Sequence, residues 1–208
     1  TTTGNTNTAI GSLALRDNVV GSFNTAIGYN ALVITNNSGN TAIGANAMNK
    51  NTTGARNTAT GVSAMVSNTI GSYNTANGRE TLYLNTTGSN NSAFGYQSLH
   101  QNTTGGFNVA IGDGALYNNT TGTGNIGIGE DGGFNLTVGN NNICIGNKGV
   151  AGEAGIIRIG DDASHTHVYL AGVIHGNGLG LTNVPASSIV GSGLGPIEDR
   201  KSTRLNSS

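Results

Sequence analysis

Apolar and polar positions along this chain recur at one fixed interval. Nine times an Asn stands four residues before a Gly, at Asn7, Asn24, Asn40, Asn57, Asn74, Asn91, Asn108, Asn125 and Asn142. Successive glycines of this set lie 17 residues apart, with one step of 16 between Gly28 and Gly44. Between Asn and Gly runs a triplet such as Thr25-Ala26-Ile27, and four residues past each of the first seven glycines comes a Leu or Met. Strand alternation puts Thr25 and Ile27 on one face and Ala26 and Gly28 on the other. A unit of this length is too short for a helix pair or propeller blade, which take roughly 30 to 45 residues. Each unit therefore reads as one coil of an all-β parallel solenoid, with two short strands and two turns per coil. Nine coils stacked at ~4.8 Å make a shaft of roughly 43 Å.

Two columns are expected to form the interior. One is the bulky column Ile10, Ile27, Ile43, Thr60, Asn77, Phe94, Ile111, Ile128 and Ile145; the other is Leu15, Leu32, Met48, Met65, Leu82, Leu99 and Leu116. The small column from Ala9 through Ala110 is expected to face another copy of the chain. Asn77 interrupts the Ile column, and buried there it would need hydrogen-bond partners or cost about 1–3 kcal/mol. The Asn column is expected to stack as a structural ladder, each amide bonding to the coils above and below. Asn-Thr-Thr-Gly, at 51–54, 85–88, 102–105 and 119–122, has the chemistry of a turn: Asn and Gly tolerate positive φ and Thr hydroxyls close side-chain turns. The same segments match the acceptor pattern for N-glycosylation, but turn duty accounts for them.

The segments 24–32 (NTAIGYNAL), 40–48 (NTAIGANAM) and 108–116 (NVAIGDGAL) resemble the head repeats of trimeric autotransporter adhesins. Similar repeats occur in phage-like tail fibres and in secreted fibres that end in an endosialidase-type chaperone domain. The resemblance covers about residues 5 to 150. It implies a left-handed β-roll packed as a homotrimer, although the family's repeat is somewhat shorter than this one.

The period ends after Gly146, which divides the chain into a β-roll at 1–150, cap or neck strands at 151–175, a Gly-rich linker toward a stalk at 176–197, and a tail at 198–208. The tail holds five of the 19 charged residues, a change abrupt enough to mark it as disordered or foreign to the natural protein. The chain opens in mid-pattern with Thr-Thr-Thr-Gly, as a fragment would.

Composition narrows the function classes. Nine per cent charged residues and a net charge of −1 exclude a basic nucleic-acid binder and a polybasic membrane ligand, and no apolar run is long enough to insert in a bilayer. Catalysis needs a nucleophile with a base, or paired carboxylates in a cleft; the repeats carry almost no Asp, Glu, His or Lys, so no enzyme is expected. The Gly-rich segment 124–129 lacks the helix and Gly-Lys-Ser/Thr of a phosphate loop. Cys144 stands between Ile143 and Ile145 as a small hydrophobe. His165 and His167 share a strand face, so three copies about an axis would bring six imidazoles to a transition metal, the one cofactor site considered. Arg79-Glu80 and Arg158 read as members of surface or intersubunit ion pairs.

The expected function is a structural and adhesive fibre segment of a bacterial surface adhesin or tail fibre. It would be extracellular, on a cell surface or virion, with itself as homotrimer partner and a host-cell receptor, glycan or matrix as target. Tyr29, Tyr96 and Phe107 are its candidate exposed aromatics. The alternative is an ice- or crystal-surface-binding solenoid, suggested by Thr pairs such as Thr52-Thr53 and Thr86-Thr87 that recur at coil spacing.

Overall fold

The structure, a computed structural model, describes residues 3–161 together with 163 and 165. These lie in the first of two compact units, Thr1–Val168. The second unit, Tyr169–Ser208, falls outside the described residues, and with it the expected linker and tail.

Ten three-residue strands form one parallel sheet in chain order: β1 Thr8–Ile10, β2 Thr25–Ile27, β3 Thr41–Ile43, β4 Thr58–Thr60, β5 Thr75–Asn77, β6 Ser92–Phe94, β7 Val109–Ile111, β8 Ile126–Ile128, β9 Ile143–Ile145 and β10 Ile157–Ile159. Equivalent residues of successive coils are paired, Ala26 with Ala9 on one side and Ala42 on the other. The chain is thus a β-solenoid of about nine turns with a repeat of about 17 residues. The sheet continues past residue 150, because β10 pairs with β9 in register.

Each coil contains one strand, where two were expected. The remainder is built from turns whose residues alternate in the sign of φ: Gly28 has φ 130°, Asn30 55° and Leu32 46°, and the same places in later coils repeat these values. Such a path still satisfies the backbone, since its N–H groups reach neighbouring coils. Asn30 N–H donates to Ser12 O of the preceding coil (3.1 Å), and Leu32 N–H to Ala47 O of the following one (2.9 Å). Left-handed conformations cost an L-residue roughly 1–2 kcal/mol; a hydrogen bond to both neighbours at every coil offsets that cost.

The two strand faces are exchanged relative to the expectation. Ala26, Ala42, Ala59, Ala76, Ala93, Ala110 and Cys144 are fully buried, whereas Ile10, Ile43, Phe94, Ile111 and Ile145 are exposed and Ile27 and Ile128 only half-buried. The Leu column is inside as expected: Leu32, Met48, Met65, Leu82, Leu99 and Leu116 are fully buried. One large side chain per coil fills the narrow cross-section, so the strand opposite can contribute only Ala. Asn77, expected inside, is therefore on the surface, and the small column is interior, not a surface for another copy.

The ladder Asn residues point into the same interior. Asn91 N–H donates to Asn74 Oδ1 (3.0 Å), and Asn91 Nδ2 donates to Asn74 Oδ1 (3.1 Å) and to Gly105 O (2.9 Å). The unit repeats at Asn57, Asn74, Asn108 and Asn142. A second ladder runs through the turns: Asn68 Nδ2 donates to Asn51 Oδ1 (2.7 Å), and Asn85, Asn102 and Asn119 continue it. Apart from Asn68, which opens Asn-Thr-Ile-Gly, these are the Asn residues of the Asn-Thr-Thr-Gly segments, and all are fully buried. In the folded chain they are closed to glycosylation.

The last coil is closed by an ion pair. Arg158 occupies the place that Ala holds in earlier strands, and its Nη2 meets Glu153 Oε2 at 2.8 Å, with Nε donating to the same carboxylate. Ile156 N–H takes Asn142 Oδ1 (3.0 Å), so the terminal ladder acceptor is occupied as well.

Candidate functional site

Since the coil interior is filled by Asn, Ala and Leu, any function must reside in the columns that point outward. The strand face presents one column of Thr8, Thr25, Thr41, Thr58 and Thr75, continued by Ser92, Val109, Ile126 and Ile143, beside the exposed Ile column. Its backbone is fully paired in the sheet, so the face offers side chains only.

A second outward column consists of the residue preceding each ladder Asn: Thr6, Phe23, Gly39, Arg56, Tyr73, Asn90, Phe107, Gly124 and Asn141. Every one has positive φ, from 55° at Arg56 to 77° at Gly39. Phe23, Tyr73 and Phe107 are exposed despite their size. The left-handed conformation recurs in every coil and belongs to the shaft, so what sets this column apart is large aromatic side chains left exposed and available to a partner. Within the column the Arg56 guanidinium lies 5.3 Å from the centre of the Tyr73 ring and donates to its hydroxyl. Tyr29 and Tyr96 are exposed on another column, following the period glycines, with Arg79 over the Tyr96 ring at 5.7 Å.

A third column stacks Tyr83, His100, Tyr117 and Phe134, with ring centres 5.0, 5.0 and 5.3 Å apart, and Lys148 caps Phe134. His100 Nδ1 is buried without a hydrogen-bond partner, and Nε2 is 3.9 Å from Glu80 Oε2. Burial pushes the His100 imidazole below its usual range, opposed by the Glu80 charge. The Glu80 carboxyl is itself held low by hydrogen bonds from Gln97 and Arg79. This column is a rib of stacked rings packed along the shaft.

The ionic residues are mostly committed. Arg16 pairs with Asp17, Arg79 with Glu80, Lys148 with Asp131 and Arg158 with Glu153. The proposed metal pair is divided: His167 lies outside the described residues, while His165 Nδ1 accepts from Asp161 N–H at 3.1 Å. Among the described residues no group of three His, Cys, Asp or Glu side chains could hold a metal ion, and no helix is long and apolar enough to cross a membrane. Cys144 is buried, and that burial raises its thiol pKa.

The Thr pairs divide in use. Thr52, Thr69, Thr86, Thr103 and Thr120 donate their hydroxyls to the Thr carbonyl of the next coil, as Thr52 does to Thr69 O at 3.0 Å. Their outward neighbours form a column broken by Ile70 and Val138.

Sequence reasoning singled out Tyr29, Tyr96 and Phe107 but passed over Phe23, Arg56 and Tyr73. The signal was their constant place before the ladder Asn. Comparison with protein-family models, with characterised proteins and with solved structures finds no match to this chain.

Proposed function

We propose that this chain is a rigid segment of an adhesive fibre, a left-handed roll that assembles with two further copies through its outward strand face and presents its aromatic columns to a cell-surface receptor or glycan. The observation that carries this reading is the Ile column turned to solvent. The column forms two apolar runs along one face, Ile10 to Ile43 and Phe94 through Ile111 and Ile145 to Ile159, separated by Thr60 and Asn77, with Ile157 exposed beside the second. Contiguous exposed apolar surface of this kind marks an interaction site. Its length and regular spacing suit an equally regular partner, which a second and third copy of the same solenoid would provide. Threefold repetition of weak surface sites then raises apparent affinity by roughly 10² to 10⁴.

Light scattering on a size-exclusion column tests the assembly. Three chains of 20.9 kDa give a mass of about 63 kDa, and Ile43→Asp combined with Ile111→Asp returns the mass of one chain. A wild-type monomer overturns the trimer, and an assembled chain that is not retained on cells overturns adhesion.

A second reading rests on a separate observation. Thr8, Thr25, Thr41, Thr58 and Thr75 stack in register on the strand face, a regular hydroxyl column of the kind an ordered-water or ice-binding surface needs. Thermal hysteresis from the monomer, abolished by Thr41→Tyr, would favour it.

A further inference from the structure

Three irregularities of the repeat meet at one place. The single 16-residue coil is short because its turn reads Thr35-Asn36-Asn37 where four later coils have the four-residue Asn-Thr-Thr-Gly. In the column of residues before the ladder Asn, the next place is Gly39, with no side chain between Phe23 and Arg56. In the column one residue earlier, Ser22, Ser38, Ser72 and Ser89 accept backbone N–H bonds from the preceding coil, but Ala55 interrupts the series. The result is an open notch of about 370 Å³ lined by Phe23, Asn37, Ser38, Gly39, Ala55 and Arg56.

The walls of the notch differ in chemistry. On one side stands the exposed Phe23 ring. Opposite it, two coils away and so about 10 Å along the shaft at one strand spacing per coil, stands Arg56, braced by the Tyr73 ring and hydroxyl. Arg56 is the one arginine among the described residues with no carboxylate in ion-pair reach; Arg16, Arg79 and Arg158 each have one. A guanidinium held by the Tyr73 ring and hydroxyl, with no carboxylate in reach, in the lining of a notch that also carries an exposed aromatic ring calls for a ligand with a carboxylate and a ring face.

We propose that this notch binds a carboxylate-bearing pyranose, the acidic sugar of a cell-surface or matrix glycan. The ring lies on Phe23 and its carboxylate turns to Arg56, with Ser38 and Asn37 along the floor. This deepens the adhesive reading and rests on it for the source of the ligand. A peptide fits less well, because the backbone around the notch is already paired: Gly39 N–H donates to Ser22 O (3.1 Å) and Arg56 N–H to Ser38 O (3.3 Å). A neutral sugar would leave the guanidinium without a counter-charge.

The test is an amide NMR titration of the full chain with methyl glycosides of glucuronic acid and of N-acetylneuraminic acid, with methyl glucoside as the uncharged control. Either acid is expected to give saturable shifts centred on Ser38, Gly39 and Arg56, weakening with added salt. Arg56→Gln should weaken binding at least tenfold. Gly39→Phe should abolish it by filling the notch; this column already holds Phe23 and Phe107 at φ 58° and 57°, so the fold accepts the substitution. Lys50→Gln, an exposed position outside the notch and the aromatic columns, should leave acid-glycoside binding unchanged. The proposal is overturned if neither acid shifts these amides, if the uncharged glycoside binds as well, or if benzoate binds more tightly than both sugars. Retention of the chain on cells is measured alongside. Retention without acid-glycoside binding sinks the notch and leaves the adhesive reading, whereas glycoside binding without retention does the reverse.

Discussion

Replacing Asn91 tests whether the amide ladder holds the coils together. Its Oδ1 accepts from Asn108 N–H (3.0 Å) and Asn108 Nδ2 (3.1 Å), while its Nδ2 donates to Asn74 Oδ1 and Gly105 O. In Asn91→Ala the buried Asn108 N–H has no acceptor, at about 1–3 kcal/mol, and two donated bonds worth about 1 kcal/mol each are lost. Gly105 O keeps a bond from Asn102 Nδ2 (3.0 Å) and Asn74 Oδ1 keeps one from Asn91 N–H, so neither becomes an orphan. The expected loss is about 3–5 kcal/mol. Asn91→Asp sharpens the test because it retains the acceptor and the shape. Its second oxygen, however, faces two acceptors where the NH₂ stood, so the ionised form is disfavoured and the folded-state pKa rises. With a raised folded value, the penalty is absent below the unfolded value near pH 4 and grows as pH rises toward the folded one, by about 1.4 kcal/mol for each unit between them. Urea unfolding of Asn91→Asp and wild type, followed by circular dichroism from pH 3.5 to 8, should show curves within about 1 kcal/mol of each other at the acid end. They should separate by at least ~2 kcal/mol at neutrality. A difference that is flat with pH, or a loss under ~1 kcal/mol in Asn91→Ala, would refute the reasoning.

Gly28→Ala should destabilise severely, since the added Cβ would lie 2.7 Å from the Gly44 carbonyl at φ 130°. Gly152→Ala, with nothing within 4 Å at φ 77°, should cost only the left-handed penalty of roughly 1–2 kcal/mol; thermal melts compare the two. Acid should destabilise the fold in two windows. The His100 imidazole is lowered by burial, so the unfolded chain takes up its proton first and stability falls as pH drops below about 6.5; His100→Phe should remove that step and stabilise by about 1 kcal/mol by deleting the unpartnered Nδ1. The Glu153 carboxyl is lowered chiefly by hydrogen bonds from Arg158, so its contribution is present above the unfolded value near 4.3 and is lost as pH falls through the folded one, a loss absent in Glu153→Gln. The Cys144 thiol should resist a disulfide reagent in native buffer and react at the rate at which the C-terminal coils open, because it is buried and its pKa is raised.

The coil, its length and the parallel sheet were legible because they follow from one repeated spacing. The orientation of the strand was misread for a physical reason that the same residues contain. Period-two alternation places Asn24 on the face of Ala26, not of Ile27. A ladder that bonds coil to coil is sheltered from competing water only if it is inside, and an inward Asn carries the Ala inward with it. Hydrophobicity argued for Ile in the core, but a thin coil has room for a single large column, and Leu32 and its equivalents fill it. The second strand failed because Gly28, Asn30 and Leu32 adopt positive φ in alternation, a path that residue preferences disfavour at Leu and that only the coils on either side make tenable. The notch was the least legible feature, since it is made of absences: one residue missing from a turn, no side chain at Gly39 and no hydroxyl at Ala55. Each looks like drift within a repeat. Stacking at one coil per strand spacing aligns them beside Arg56, the one arginine among the described residues without a carboxylate partner. In a solenoid, where every regular position serves the shaft, departures from the repeat that coincide in space are where specific recognition can be built.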